Sequence, residues 1–175
     1  MRASLKEKIK KIKLLILDVD GVMTNGEIVL DEQGREQKIF NVQDGFGIVL
    51  FQRAGYKTAI LSARSAGAVT ARAKDLNMNK ICQNAHPKMA VYKKLIRDLK
   101  VKDDHVCFIG DDLPDIEVLK KVGFSVTVPG AVNEVKSIVD YITKNEGGHG
   151  AVREVIELIL KAHNKWAGIV NAYGA

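Results

Sequence analysis

Asp18-Val19-Asp20-Gly21-Val22-Met23-Thr24 directly follows the apolar run Leu14–Leu17, setting two carboxylates one residue apart at the predicted end of a strand. Like charges that close repel and lose hydration, so a cation or hydrogen bonds must compensate them. Gly21 permits the backbone turn that lets N–H groups approach an anion. A second acidic cluster, Gly110-Asp111-Asp112-Leu113-Pro114-Asp115, follows the run His105–Ile109. Acidic residues are ordinary at a helix start, but three aspartates so close together exceed what a cap needs. A divalent ion would offset them, and oxygen-only donors point to Mg2+ rather than zinc. The histidines His86, His105, His149 and His163 show no metal-ligand spacing. Two further features fall near predicted strand ends. Ser62-Ala63-Arg64 offers a hydroxyl and a guanidinium for phosphate oxygens. Lys88 stands at a helix start, where its charge opposes the macrodipole. Taken singly, these read equally well as a solvated turn, an N-cap and an exposed lysine. Together, in this order, they are far more specific.

Such groups cooperate only if the fold gathers them. Short apolar runs at Leu14–Leu17, Lys57–Leu61, Lys80–Cys82, His105–Ile109 and Phe124–Val128 are predicted strands. Helices are predicted from Gly47 to Arg53 and over Ala66–Leu76, Lys88–Leu99, Leu113–Val122, Val132–Val139 and Ala151–Ala162. This alternation predicts an α/β fold, a doubly wound, Rossmann-like parallel sheet whose ligand lies beyond the carboxyl ends of the strands. Residues 28–40 hold two extended stretches around Asp31-Glu32-Gln33-Gly34, a predicted β-hairpin. The insertion between the first two motifs is about one hairpin long, too short for a cap domain. The expectation is one domain over 1–175, with a protruding hairpin at about 27–40 and a tail at about 163–175 whose role composition does not decide.

Of 175 residues, 46% are hydrophobic and 27% charged, which excludes a disordered or collagen-like chain. No apolar run approaches the ~18–20 residues of a membrane helix, and the basic N-terminus has no apolar core of a secretory signal. Cys82 and Cys107 lie in or beside apolar runs and are read as reduced residues of a cytoplasmic protein. The net charge of +6 raises the question of nucleic acid. Its densest part, Lys6 to Lys13, alternates with Ile9 and Ile12 as an amphipathic lead-in to the first strand. No zinc-finger pattern or aromatic-rich strand pair accompanies it, so no nucleic-acid or membrane partner is expected; a phosphorylated substrate accounts for the charge.

The order of carboxylate pair, hydroxyl, lysine and carboxylate cluster resembles the haloacid dehalogenase-like (HAD-like) phosphotransferase superfamily, from Leu14 to about Leu160. Two segments narrow the match. Phe40-Asn41-Val42-Gln43-Asp44-Gly45-Phe46-Gly47-Ile48 and Gly147-Gly148-His149-Gly150-Ala151-Val152-Arg153-Glu154-Val155 are similar to the 3-deoxy-D-manno-octulosonate 8-phosphate phosphatase family. That resemblance implies a capless phosphatase of lipopolysaccharide precursor synthesis. Asp18 would be the nucleophile, Asp20 the general acid and then base, and Asp18, the Asp20 carbonyl and Asp111 the Mg2+ ligands. Ser62 and Lys88 would hold phosphate oxygens, while Asp112 and Asp115 would orient the metal shell or Lys88. Asn41, Val42, Gln43, Asp44, Gly45, Arg64 and Arg72 would contact the substrate. The family solution to an open site is a homotetramer, with the hairpin between subunits and a neighbouring chain completing the site.

Three positions depart from the family pattern. Ala63 replaces a glycine, His149 an arginine of the C-terminal signature, and Val49 stands where a substrate-facing arginine can occur. They touch none of the core catalytic set, but they leave open a related nine-carbon sugar-acid phosphate as substrate, or a non-catalytic assembly module. A response-regulator receiver domain combines similar groups. Its acidic pair, however, precedes the phosphorylated aspartate, which ends a later strand.

Overall fold

A computed structural model describes residues 3–174. In chain order the elements are α1 (Ala3–Ile9), β1 (Leu14–Leu17), β2 (Val29–Leu30), β3 (Glu36–Gln37), α2 (Val42–Arg53), β4 (Lys57–Leu61), α3 (Gly67–Asp75), β5 (Lys80–Cys82) and α4 (Lys88–Asp98). There follow β6 (Val106–Ile109), α5 (Ile116–Leu119), β7 (Phe124–Thr127), α6 (Asn133–Lys136), β8 (Tyr141–Ile142), α7 (Ala151–Ala162) and α8 (Trp166–Asn171).

Six strands form one parallel sheet in the order β5-β4-β1-β6-β7-β8. β1 is buried at every position, as a central strand covered on both faces must be. Its side chains alternate between two cores. Leu15 and Leu17 pack with Ile48, Phe51 and Ile156 from α2 and α7. Leu14 and Ile16 pack with Tyr92, Leu95 and Val118 from α4 and α5. Register then fixes the site: Leu17 pairs with Ile60 of β4 and with Ile109 of β6, so β1 and β6 end level and β4 runs one residue further. The strand order reverses between β1 and β6, the switch point where such sheets bind ligands. The structure is the HAD-like arrangement without a cap domain, and β2 and β3 form the separate antiparallel hairpin.

Several boundaries differ from expectation. α2 starts at Val42, not Gly47, because the Asn41 side chain accepts from the Gln43 and Asp44 N–H groups and starts the helix early. The expected helix Leu113–Val122 is a 3-10 turn at Leu113–Asp115 followed by the short α5. Val132–Val139 contracts to α6, and β8 is an added edge strand. Ile9 and Ile12 are fully buried, so the basic lead-in lays its apolar side on the core. The tail packs back on the fold: the Arg153 guanidinium lies 5.1 Å from the Trp166 ring centroid, and Phe46 meets Tyr173 edge-on at 5.8 Å. Among the described residues, no helix is long and apolar enough to cross a membrane.

Candidate active site

The loops after β1, β4 and β6 emerge side by side at the carboxyl edge of the sheet, and α4, packed against β4, β5 and α5, brings Lys88 to them at its first turn. Two hydrogen bonds stitch the approach: Ser62 N–H donates to the Cys82 carbonyl at 2.9 Å, and Ala85 N–H to the Ser62 carbonyl at 3.0 Å. The result is an open cavity of about 260 Å³, lined by Asp18, Asp20, Gly21, Ser62, Arg64, Lys88, Asp111, Asp112 and Asp115 among others.

Each buried charge has a local reason for its place. Asp18 accepts from Val19 N–H at 2.7 Å and from Lys88 Nζ at 2.8 Å. Lys88 is 5% exposed and donates also to Asp115, which is fully buried. The other Asp115 oxygen accepts from the N–H groups of Asp111 and Asp112 at 3.0 and 3.2 Å. Asp115 thus ties the β6 loop to Lys88. Gly21 has φ +80°, and a Cβ there would overlap the Asp111 carboxylate. The glycine therefore serves both the turn and the close approach of a metal-binding candidate.

Two carboxylates, Asp18 and Asp115, pair with the one ammonium, and Asp111 lines the same cavity. Burial, reinforced by the charge of Asp115, pushes the Asp18 carboxyl up to about 7. Burial, with Asp18, Asp115 and Asp112 nearby, does the same to Asp111. Burial opposes the Lys88 charge, yet Asp18 and Asp115 hold its ammonium above its ordinary value. Excess negative charge and an all-oxygen donor set fit a hard divalent cation. Asp18, Asp111 and Asp115 each place an oxygen within 4.8 Å of the others. Asp115, its side chain 1% exposed, is committed to Lys88 and two N–H groups; Asp18 accepts from Lys88 and one N–H but keeps 12% of its side chain exposed, so Asp18 and Asp111 are the better placed of the three to meet a cation.

The remaining candidates divide. Ser62 is buried beside the cavity. Asp112 lines it too, but its side chain accepts from Leu113 N–H at 2.8 Å, capping the turn rather than touching Lys88. Arg64 reaches across to Glu36 and Asp20. Asn41, Val42, Gln43, Asp44 and Gly45 form the cap and first turn of α2 and do not line this cavity. Nor does Arg72, which pairs with Asp75 at 2.6 Å and lies so close to Gly45 that a Cβ there would overlap its guanidinium. Val49 is half-buried against the core. His149 lines an adjoining cavity of about 820 Å³, formed where Gly147 presses on the Gly21 carbonyl.

Sequence reasoning missed Lys38. Its side chain is 2% exposed, and its ammonium contacts both Asp20 and Glu36. The only signal was the hairpin's single lysine, placed just before Ile39 and Phe40.

Residues 59–156 match the haloacid dehalogenase-like hydrolase family model. The chain is 40% identical over 162 residues to the 3-deoxy-D-manno-octulosonate 8-phosphate phosphatase of Yersinia pestis, covering 93% of this chain and 87% of that protein. It superposes at a TM-score of 0.96 and 38% identity on the phosphatase of the same name from Moraxella catarrhalis, crystallised with magnesium, phosphate and KDO, with 99% of each chain covered. A cobalt-bound Haemophilus influenzae phosphatase gives a TM-score of 0.91 at 34% identity, covering 95% of this chain and 98% of that one. Cavity chemistry, fold and likeness agree: the chain belongs to the 3-deoxy-D-manno-octulosonate 8-phosphate phosphatase family of haloacid dehalogenase-like hydrolases.

Proposed function

We propose that the chain is a Mg2+-dependent phosphatase that releases phosphate from 3-deoxy-D-manno-octulosonate 8-phosphate through an aspartyl-phosphate, in lipopolysaccharide precursor synthesis. The observation that carries the reading is the Asp18–Lys88–Asp115 ion triplet beside Asp111 at the end of β1, in a chain of this family.

Asp18 is the nucleophile: a carboxylate oxygen attacks phosphorus, the ester P–O bond breaks, and its electron pair goes to the sugar oxygen. Asp20 supplies the proton that this oxygen needs. Water then attacks the phosphorus of the aspartyl-phosphate, Asp20 takes the water proton, and phosphate leaves with Asp18 restored. Lys88 and Ser62 receive phosphate oxygens, Lys88 as a point charge already fixed by Asp115. Asp18, the Asp20 carbonyl and Asp111 would hold Mg2+, which when bound offsets the repulsion between nucleophile and phosphate.

The chain acts as a single cytoplasmic domain and assembles as a homotetramer, without nucleic-acid or membrane partners. Supporting assembly, Ile28, Leu30, Ile39 and Val42 on and beside the hairpin are all more than half exposed, and an open cavity needs a cover to recognise a sugar acid. In such an assembly the exposed start of α2, Val42 and Gln43 with Asn41, reaches the substrate from a neighbouring chain together with Arg72, while the buried Asp44 and Gly45 shape that turn from behind.

Phosphate release from a panel of sugar-acid phosphates tests the reading, run with Mg2+, with chelator, and with Asp18→Asn. Mg2+-dependent turnover of the octulosonate ester, lost in Asp18→Asn, is expected. Preference for a nine-carbon acid would keep the chemistry and change the substrate. A folded, metal-loaded chain inert to every ester would overturn the catalytic reading in favour of an assembly module.

A further inference from the structure

Asp20 stands apart from the other site carboxylates in how it is held. Asp18 and Asp115 are each fixed by main-chain N–H groups as well as by Lys88. Among the described residues, Asp20 accepts a hydrogen bond from Lys38 alone; Arg64 lies farther off, at 3.5 Å from Oδ2. Lys38 sits 18 positions along the chain, just beyond β3 of the hairpin. A lysine side chain 2% exposed must have its charge met, and Asp20 and Glu36 meet it. Glu36 in turn accepts from Arg64 at 3.1 Å, closing a ring of four charges that sums to zero.

From this we infer that Lys38 is the positioning residue for the proton-transfer carboxylate: by occupying Oδ1 of Asp20 it leaves Oδ2 for the leaving-group oxygen and then for the water. The inference rests on the phosphatase reading above and deepens it. A carboxyl side chain has two soft torsions, and a proton donor must be held in the right geometry to act. The turn at Gly21 supplies no N–H bond that would do this for Asp20. The hairpin therefore belongs to the catalytic apparatus of its own chain, through one ammonium. Glu36 is the counter-charge that lets Lys38 stay buried, and its bond to Arg64 docks the hairpin over the β4 loop.

The test uses two esters with different need of a proton. An alkyl sugar phosphate leaves as a poor alkoxide and depends on general acid, whereas p-nitrophenyl phosphate leaves readily without one. Lys38→Met should lower kcat on the best sugar phosphate by roughly 10–100-fold, within the range general acids supply, and on p-nitrophenyl phosphate by about 3-fold or less. Lys38→Arg should recover part of the loss. In an Asp20→Asn background, Lys38→Met should cost nothing further. Equal losses on both esters, or an additive loss beside Asp20→Asn, would show that Lys38 only docks the hairpin and would overturn the proposal while leaving the phosphatase reading intact. A wild-type chain that turns over neither ester overturns both. Should Lys38→Met fail to fold, Lys38→Arg and Glu36→Gln carry the same ratio of the two esters, which must move for the first and hold within about 3-fold for the second.

Discussion

Lys88 Nζ lies 2.8 Å from Oδ2 of Asp18 and also donates to Asp115, so one buried ammonium joins the two aspartate motifs across 97 positions of sequence (residues 18 to 115). Among the described residues no second cationic side chain pairs with those two carboxylates. Lys88 is therefore a structural counter-ion before any substrate arrives.

Lys88→Met should cost stability as well as activity. Removing one partner of a buried ion pair leaves an uncompensated charge, and about 3 kcal/mol of metal-free stability should be lost at pH 8. The loss should shrink at pH 5, because burial already raises Asp18 to about 7 and its carboxyl can take up a proton instead. Urea unfolding in chelator at the two pH values reads both numbers. A loss below about 1 kcal/mol at pH 8 would mean that the triplet carries little of the fold.

The positions of Asp18, Ser62, Lys88 and Asp111 were legible because each follows an apolar run short enough to be a strand, and a parallel sheet collects strand ends along one edge. Their partners were less so. Taken alone Lys88 reads as an exposed lysine, and its burial against Asp18 shows only in the fold, since a local charge carries no record of what faces it. Lys38 was invisible for the same reason: no period links it to Asp20, and a hairpin rich in charge reads as solvated. The early start of α2 had a signal in Asn41, but the sequence reading begins the helix only at Gly47, and glycine is a poor helix former. In the structure Gly45 gives room to Arg72 and Gly47 to Arg153, so both are packing choices within the helix. The two-residue β8 is too short for any pattern to announce it.

Metal binding should be steeply pH-dependent around neutrality. In the metal-free chain Asp18 and Asp111 are both raised to about 7 from ordinary values near 4. Between those limits the folded state binds more protons than the unfolded one, so the contribution of these two sites to stability is present below about pH 4 and is lost as pH rises through 7. A divalent cation must displace those protons. Its stabilising effect should therefore grow from pH 5 to pH 8, with proton release on binding. Thermal unfolding with and without Mg2+ across this range tests the claim. Asp111→Asn should flatten the pH dependence of the metal-free chain and weaken the Mg2+ response together; a variant that keeps both would place the cation elsewhere.

Asp44 offers the sharpest separation between a role within the chain and a role toward substrate. Its buried carboxylate accepts from Arg153 N–H at 2.7 Å and from Gly150 N–H at 3.3 Å. It thereby caps α7, whose own N-cap Gly150 has no side chain to do so. Burial raises its carboxyl above the ordinary range, while these N–H groups pull it back. Asp44→Ala strands two buried donors and should lower stability by about 2–3 kcal/mol, whereas Asp44→Asn keeps one acceptor oxygen and should lose roughly half as much. Both variants should lose turnover only in proportion to the disturbance of α2, whose first turn carries Asn41 to Gly45. Urea unfolding beside kcat and KM decides the matter. Unchanged stability with a raised KM in Asp44→Ala would mean that the carboxylate faces the sugar acid of a neighbouring chain instead of capping its own helix.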